Sequence, residues 1–188
     1  MKKISIIFCF YLLVGCVNEE DYSVNKSPSS TDSRINFVLD AVGKEQQLSF
    51  SLLTNKEKSI LWERKLTKQA ESETYDDQQL LLINELIYGA KVHLGNQYAL
   101  DSFRDSWLKK AKILLSNEQI VSLAYSISPT SAPVPKDCNC NKGSFYSCGL
   151  LDPHAYCPDE PTSCENWTPT GCGFLGMYAC NGVCKRVY

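Results

Sequence analysis

The sequence predicts a mainly α protein: a small helical domain followed by a disulfide-rich tail of irregular chain and short strands. Two observations carry this. Residues 33–128 contain neither Pro nor Cys and place apolar side chains at helical spacing. Eight of the ten cysteines then fall between Cys138 and Cys184, in a stretch too short and too rich in Gly, Pro and Asn to fold on an apolar core.

The first fifteen residues read as a signal peptide. Lys2 and Lys3 precede an apolar run from Ile4 to Val14, too short for a spanning helix of about 20 residues but suited to a signal h-region. The run ends in Leu13-Val14-Gly15-Cys16, which resembles the lipobox of bacterial lipoproteins. The resemblance implies cleavage before Cys16 and acylation of its thiol and new α-amino group. Cleavage discards Cys9 and lipid occupies Cys16, so an even set of eight thiols remains. Two or more acyl chains, at about 0.8 kcal/mol per buried CH₂, anchor a chain to a membrane without spanning it. Glu19-Glu20-Asp21 resembles the surface-export signal of some diderm lipoproteins. The expected location is therefore the cell envelope, at the outer membrane and on its outer face. Residues 16–32 are polar and breaker-rich and read as a flexible tether.

The helical domain is expected over 33–128. Ile35, Val38, Leu39 and Val42 form a first stripe, stopped by Gly43. Leu48, Phe50, Leu52 and Leu53 belong to a short second element. Thr54-Asn55-Lys56-Glu57 is a capping box, opening a third helix through Ile60, Leu61 and Trp62 to Leu66. A fourth starts near Asp76 or Asp77 and ends near Gly89 or Gly95. Phe103, Trp107, Leu108 and Ala111 mark a fifth. Ser116-Asn117-Glu118-Gln119 is a second capping box, opening a sixth helix with Ile120, Leu123 and Ala124 inward. Trp62 and Trp107 are expected in the core, and His93 in a packing role. The segment holds 12 acids and 12 bases. That balance excludes a nucleic-acid footprint, and the Lys109-Lys110-Lys112 cluster offsets a helix dipole instead.

Pro129, Pro133 and Pro135 make residues 129–136 an extended linker, expected to hold the tail away from the helices. The tail, 137–188, spaces its cysteines as C-x-C-x7-C-x8-C-x6-C-x7-C-x7-C-x3-C. Cys138, Cys140, Cys148, Cys157, Cys164, Cys172, Cys180 and Cys184 are all expected in disulfides. Their pairing stays open among 105 arrangements. Asn181-Gly182 suggests a tight hairpin between Cys180 and Cys184. Zinc is disfavoured, because only Cys180 and Cys184 have ligand spacing, His154 is the one nearby histidine, and export opposes free thiolates. No nucleophile–base pair can be assembled, so neither an enzyme nor a cofactor is expected. Tyr156, Trp167, Phe174 and Tyr178 are candidate binding aromatics.

Three blocks of the tail carry a family resemblance: Cys138-Asn139-Cys140, Trp167-Thr168-Pro169-Thr170-Gly171-Cys172-Gly173 and Tyr178-Ala179-Cys180-Asn181-Gly182. They resemble fulvocin C, a small cysteine-rich bacteriocin cross-linked by disulfides. With its lipoprotein signal and helical segment, the whole chain looks like the bacteriocin fulvocin C-related proteins. The loops between cysteines are longer here and the last cysteines are placed differently, so the resemblance carries no pairing. It implies a bacteriocin-like effector on a lipid-anchored carrier, with a receptor or surface protein of a target cell as partner. The alternative is a non-toxic extracellular binding module. The tail holds five acids and three bases, which argues against cationic attack on anionic membranes.

Overall fold

The computed structural model describes residues 30–127, 138, 140–142, 144, 148, 155–158, 164 and 167–186. The signal peptide, the lipobox with Cys16, most of the tether and the linker lie outside these residues. Among the described residues are six α-helices and four short strands: α1 Thr31–Asp40, α2 Gly43–Ser51, α3 Asn55–Ser72, α4 Asp77–His93, α5 Gln97–Leu114, α6 Asn117–Ala124, β1 Ala155–Tyr156, β2 Thr168–Cys172, β3 Tyr178–Cys180 and β4 Lys185–Arg186. The mainly α fold with a cysteine-rich, short-strand C-terminal region is as expected. No helix among the described residues is long and apolar enough to cross a membrane.

Local chemistry sets the helix starts. Thr54 and Ser116 accept from the backbone N–H groups of Glu57 and Gln119, and those side chains return the bond to the cap backbone. Asp76 and Gln79 form a third reciprocal box at the start of α4. Such caps satisfy N–H groups that a helix leaves without internal partners. Glu57 lies below the ordinary carboxylate range, because the Thr54 backbone and hydroxyl donate to it and Arg34 stands 3.1 Å away.

One boundary differs from the periodicity. Gly43 does not merely stop the first stripe; at φ +57 it turns the chain into α2. Of the two ends offered for α4, the one near Gly95 holds: the helix runs through Gly89 to His93. A Cβ at Gly89 would stand 2.1 Å from the Phe103 ring. The glycine is there so that α4 and α5 can approach closely, and His93 packs on the same ring at 5.2 Å.

The core is built from all six helices. Trp62, Trp107, Phe50, Leu61, Leu66, Ile83, Leu86 and Ile120 are fully buried in it. Phe174 and Leu175, from the tail, belong to the same core. The expectation that the linker holds the tail away is therefore corrected for residues 168–180, which pack into the helical domain. β2 and β3 form an antiparallel ribbon, pairing Thr168 with Cys180 and Cys172 with Tyr178 around a bulge. Its tip, Phe174–Gly176, enters the helical layer. The reason is chemical: Phe174 and Leu175 are the ribbon's bulkiest apolar pair and have no core of their own among the disulfides.

Candidate functional site: the disulfide knot and its seat

All eight tail cysteines are paired: Cys138–Cys164, Cys140–Cys157, Cys148–Cys184 and Cys172–Cys180. They pack as two nests. Cys138–Cys164 lies against Cys172–Cys180, and Cys140–Cys157 lies against Cys148–Cys184. A short ladder joins β1 to β4, with Tyr156 opposite Lys185. The sulfurs of Cys140, Cys148 and Cys184 lie within 4.8 Å of one another. Each is oxidised in a disulfide, and a metal would need them as thiolates.

Asn181-Gly182 does not turn a hairpin between Cys180 and Cys184. Gly182 bridges instead to Cys140, whose carbonyl accepts from the N–H groups of both Asn181 and Gly182 at 3.0 Å. Asn181 Oδ1 accepts from Lys142 N–H at 2.9 Å. A Cβ at residue 182 would stand 2.5 Å from Cys157 Sγ. This glycine serves close packing on a disulfide rather than a turn.

The four candidate aromatics separate. Trp167 is 60% exposed and Tyr156 42%. Phe174 is 1% exposed and is corrected from a surface contact to a core residue. Its ring lies 5.8 Å from that of Trp107, 5.7 Å from Tyr125 and 6.1 Å from Phe103. Tyr178 is half-buried and faces α5. Its hydroxyl donates to Asp101 Oδ1 and accepts from Arg104 Nη1 at 2.8 Å. Burial and the Asp101 hydrogen bond both raise its phenol pKa, outweighing the opposing effect of Arg104.

The seat of the ribbon is built by residues whose contact with the tail no sequence signal announces. Trp62 Nε1 donates to the Leu175 carbonyl at 2.8 Å. Leu175 sits at φ +51, a left-handed conformation uncommon for a branched side chain, and its full burial holds it there. Gly176, at φ +65, lets the chain pass Phe50, whose ring would stand 2.9 Å from an added Cβ. Lys58 Nζ reaches Thr170 Oγ1 at 3.2 Å and lies 5.0 Å over the Phe50 ring; burial lowers its pKa. Gly171, at φ +117, brings β2 against the Gln47 backbone of α2. Arg104 is held at 3.0 Å by Asp101 and 2.9 Å by Asp105. From sequence, these three read as an ordinary helix-surface ion pair set. Nothing in their spacing announces Tyr178 as a further partner.

This arrangement presents a covalently closed, aromatic-bearing surface on a rigid base. No protein family, curated protein or solved structure matches the chain.

Proposed function

We propose that the chain is an envelope lipoprotein, anchored through Cys16, whose disulfide-stapled tail is a bacteriocin-like element acting in interbacterial antagonism. The lipobox Leu13-Val14-Gly15-Cys16 and the fulvocin C-like blocks of the tail support this reading. The observation that carries it furthest is the closure of all eight tail cysteines into four disulfides, which suits a domain working outside the cell. The buried Phe174 and Leu175 favour action by contact from the attached chain over release of a free peptide. Release would expose both side chains to water.

The exposed Trp167 and Tyr156 favour a second reading, a non-toxic binding module on the same anchored base. Aromatics of this kind are efficient contact residues. Growth of neighbouring cells exposed to the oxidised full-length lipoprotein separates the two. Inhibition that disappears after full reduction supports the effector. Normal growth, with capture of one surface partner by the same preparation, supports the binder.

A further inference from the structure

Two buried side-chain oxygens, Gln47 Oε1 and Thr168 Oγ1, have no hydrogen-bond partner among the described residues, and both lie at one disulfide. Gln47 Nε2 donates to Cys172 Sγ at 3.7 Å, across the close approach of β2 to α2 that Gly171 permits. Thr168 is 2% exposed and stands directly opposite Cys180 in the β2–β3 ladder. Side chains of a directly opposed pair share a face, with Cβ atoms about 4.5–5.5 Å apart. Cys172 and Cys180 are bonded to each other. A buried polar atom without a partner is uncommon in a folded protein and calls for a physical reason, a redox role among them. Here there are two, one beside each sulfur.

The dithiol form supplies what both oxygens lack. Reduction parts the two sulfurs and makes each a donor, since a thiol S–H donates weakly. Cys180 Sγ can then turn toward the Thr168 hydroxyl, and the Cys172 S–H toward Gln47 Oε1. The amide N–H that reaches the Cys172 sulfur in the disulfide holds a Cys172 thiolate more strongly, because that bond is charge-assisted. The seat of the ribbon tip keeps the sulfurs near each other without the S–S bond. Phe174, Leu175, Met177 and Tyr178, the described tail residues packed into the helical core, all lie between Cys172 and Cys180. The Trp62 bond to Leu175 and the Arg104 bond to Tyr178 fix the same loop.

We infer that Cys172–Cys180 is a redox site that exchanges two electrons with a dithiol while the ribbon tip stays seated. A thiolate of the reagent attacks Cys172 Sγ, the less buried sulfur residue of the pair. The S–S bond breaks, and its electron pair leaves on Cys180 Sγ, beside the Thr168 hydroxyl. The reagent's second thiolate attacks the reagent's own sulfur in the mixed disulfide, and the pair leaves on Cys172 Sγ, beside the Gln47 amide. The reagent ends as a cyclic disulfide, oxidised by two electrons, and its two protons end on the cysteine thiols. The inference depends neither on the tail being toxic nor on the lipid anchor.

Equilibration of the oxidised mature chain with graded ratios of reduced to oxidised dithiothreitol tests it, with free thiols alkylated at each ratio and each pair read by peptide mass mapping. Cys172–Cys180 should open at a lower ratio than the other three pairs, because a reduced form that gains hydrogen bonds is favoured. The helical circular dichroism signal should persist at that ratio. Thr168→Val should raise the ratio for half-reduction of this pair roughly fivefold, the worth of one hydrogen bond. The same change should not lower the thermal midpoint of the oxidised chain, from which it removes an unpartnered hydroxyl. Thr168→Ser, which keeps the hydroxyl, should keep the parent's ratio. Another pair opening first, loss of the helical signal where only Cys172–Cys180 has opened, or a ratio in Thr168→Val no higher than the parent's overturns the inference.

Discussion

The indole N–H of Trp62 donates to the carbonyl of Leu175 at 2.8 Å across 113 residues of sequence, so a buried hydrogen bond joins the helical core to the cysteine-rich tail. Both residues are fully buried. The relationship makes the ribbon tip a structural part of the helical layer.

Phe174→Ala should therefore destabilise the helices, although residue 174 lies in the tail. Removing a buried Phe costs about 3–5 kcal/mol. Urea unfolding followed by the helical circular dichroism signal should show an earlier midpoint at unchanged slope. Cleavage within 129–136 should leave the two pieces co-eluting under native conditions, because Phe174 packs on Phe103, Trp107 and Tyr125 of the helical part. A helical transition indifferent to the substitution would show that the two parts unfold independently.

Replacing both Cys172 and Cys180 by Ser removes the staple nearest that tip without leaving a free thiol. The pair closes a loop of sequence separation 8, and the loss should cost about 2–4 kcal/mol. Because the ribbon enters the helical core, the midpoint of the helical signal should fall as well. Full reduction should do the same, although residues 33–128 hold no cysteine of their own. Loss of tail structure alone, with the helical midpoint kept, contradicts the shared core.

The helices were legible because their signals are local. Thr54 with Glu57 and Ser116 with Gln119 announce their caps within four residues, and stripes such as Phe103, Trp107 and Ala111 announce the inward face. The end of α4 stayed open between Gly89 and Gly95 because the reason for Gly89 is the Phe103 ring on another helix, and a glycine reads as a stop when its neighbour is unknown. Phe174 misled for the same reason. Among Gly and Cys it resembles a surface aromatic, and its partners Trp107 and Tyr125 lie far back in the chain. The disulfide set was legible from the even count. The pairing was not, because cysteine spacing does not encode which loops close on which.

Cys16→Ser should release the mature chain from membranes, as the lipobox reading requires. Acyl chains contribute about 0.8 kcal/mol per buried CH₂, and no described helix substitutes for them. Fractionation of the variant with membranes in the same proportion as the parent would remove the anchor from the proposed function.

Lys65 gives the fold a pH dependence that sequence does not reveal. Its ammonium donates to the carbonyls of Ser122 and, at 3.0 Å, Leu123 at the end of α6, and lies 4.9 Å over the Trp62 ring. Burial pushes its pKa down to about 7, with Glu73 acting in the opposite direction. An unfolded lysine titrates near about 10.4. Between these values the unfolded chain binds more protons than the folded one, so stability rises with pH from about 7 toward 10. Lys58, also lowered by burial, adds to the rise. Tyr75 and Tyr178 have raised phenol pKa values, burial being the first cause in both. The stability they contribute is present below about pH 10 and is lost above it. Urea unfolding between pH 6.5 and 9.5 (a window of about three units around these values) should show the parent gaining stability. Lys65→Met should remove most of that gain. A parent profile flat across the window, or a variant that keeps the full slope, would show that Lys65 is not the group responsible.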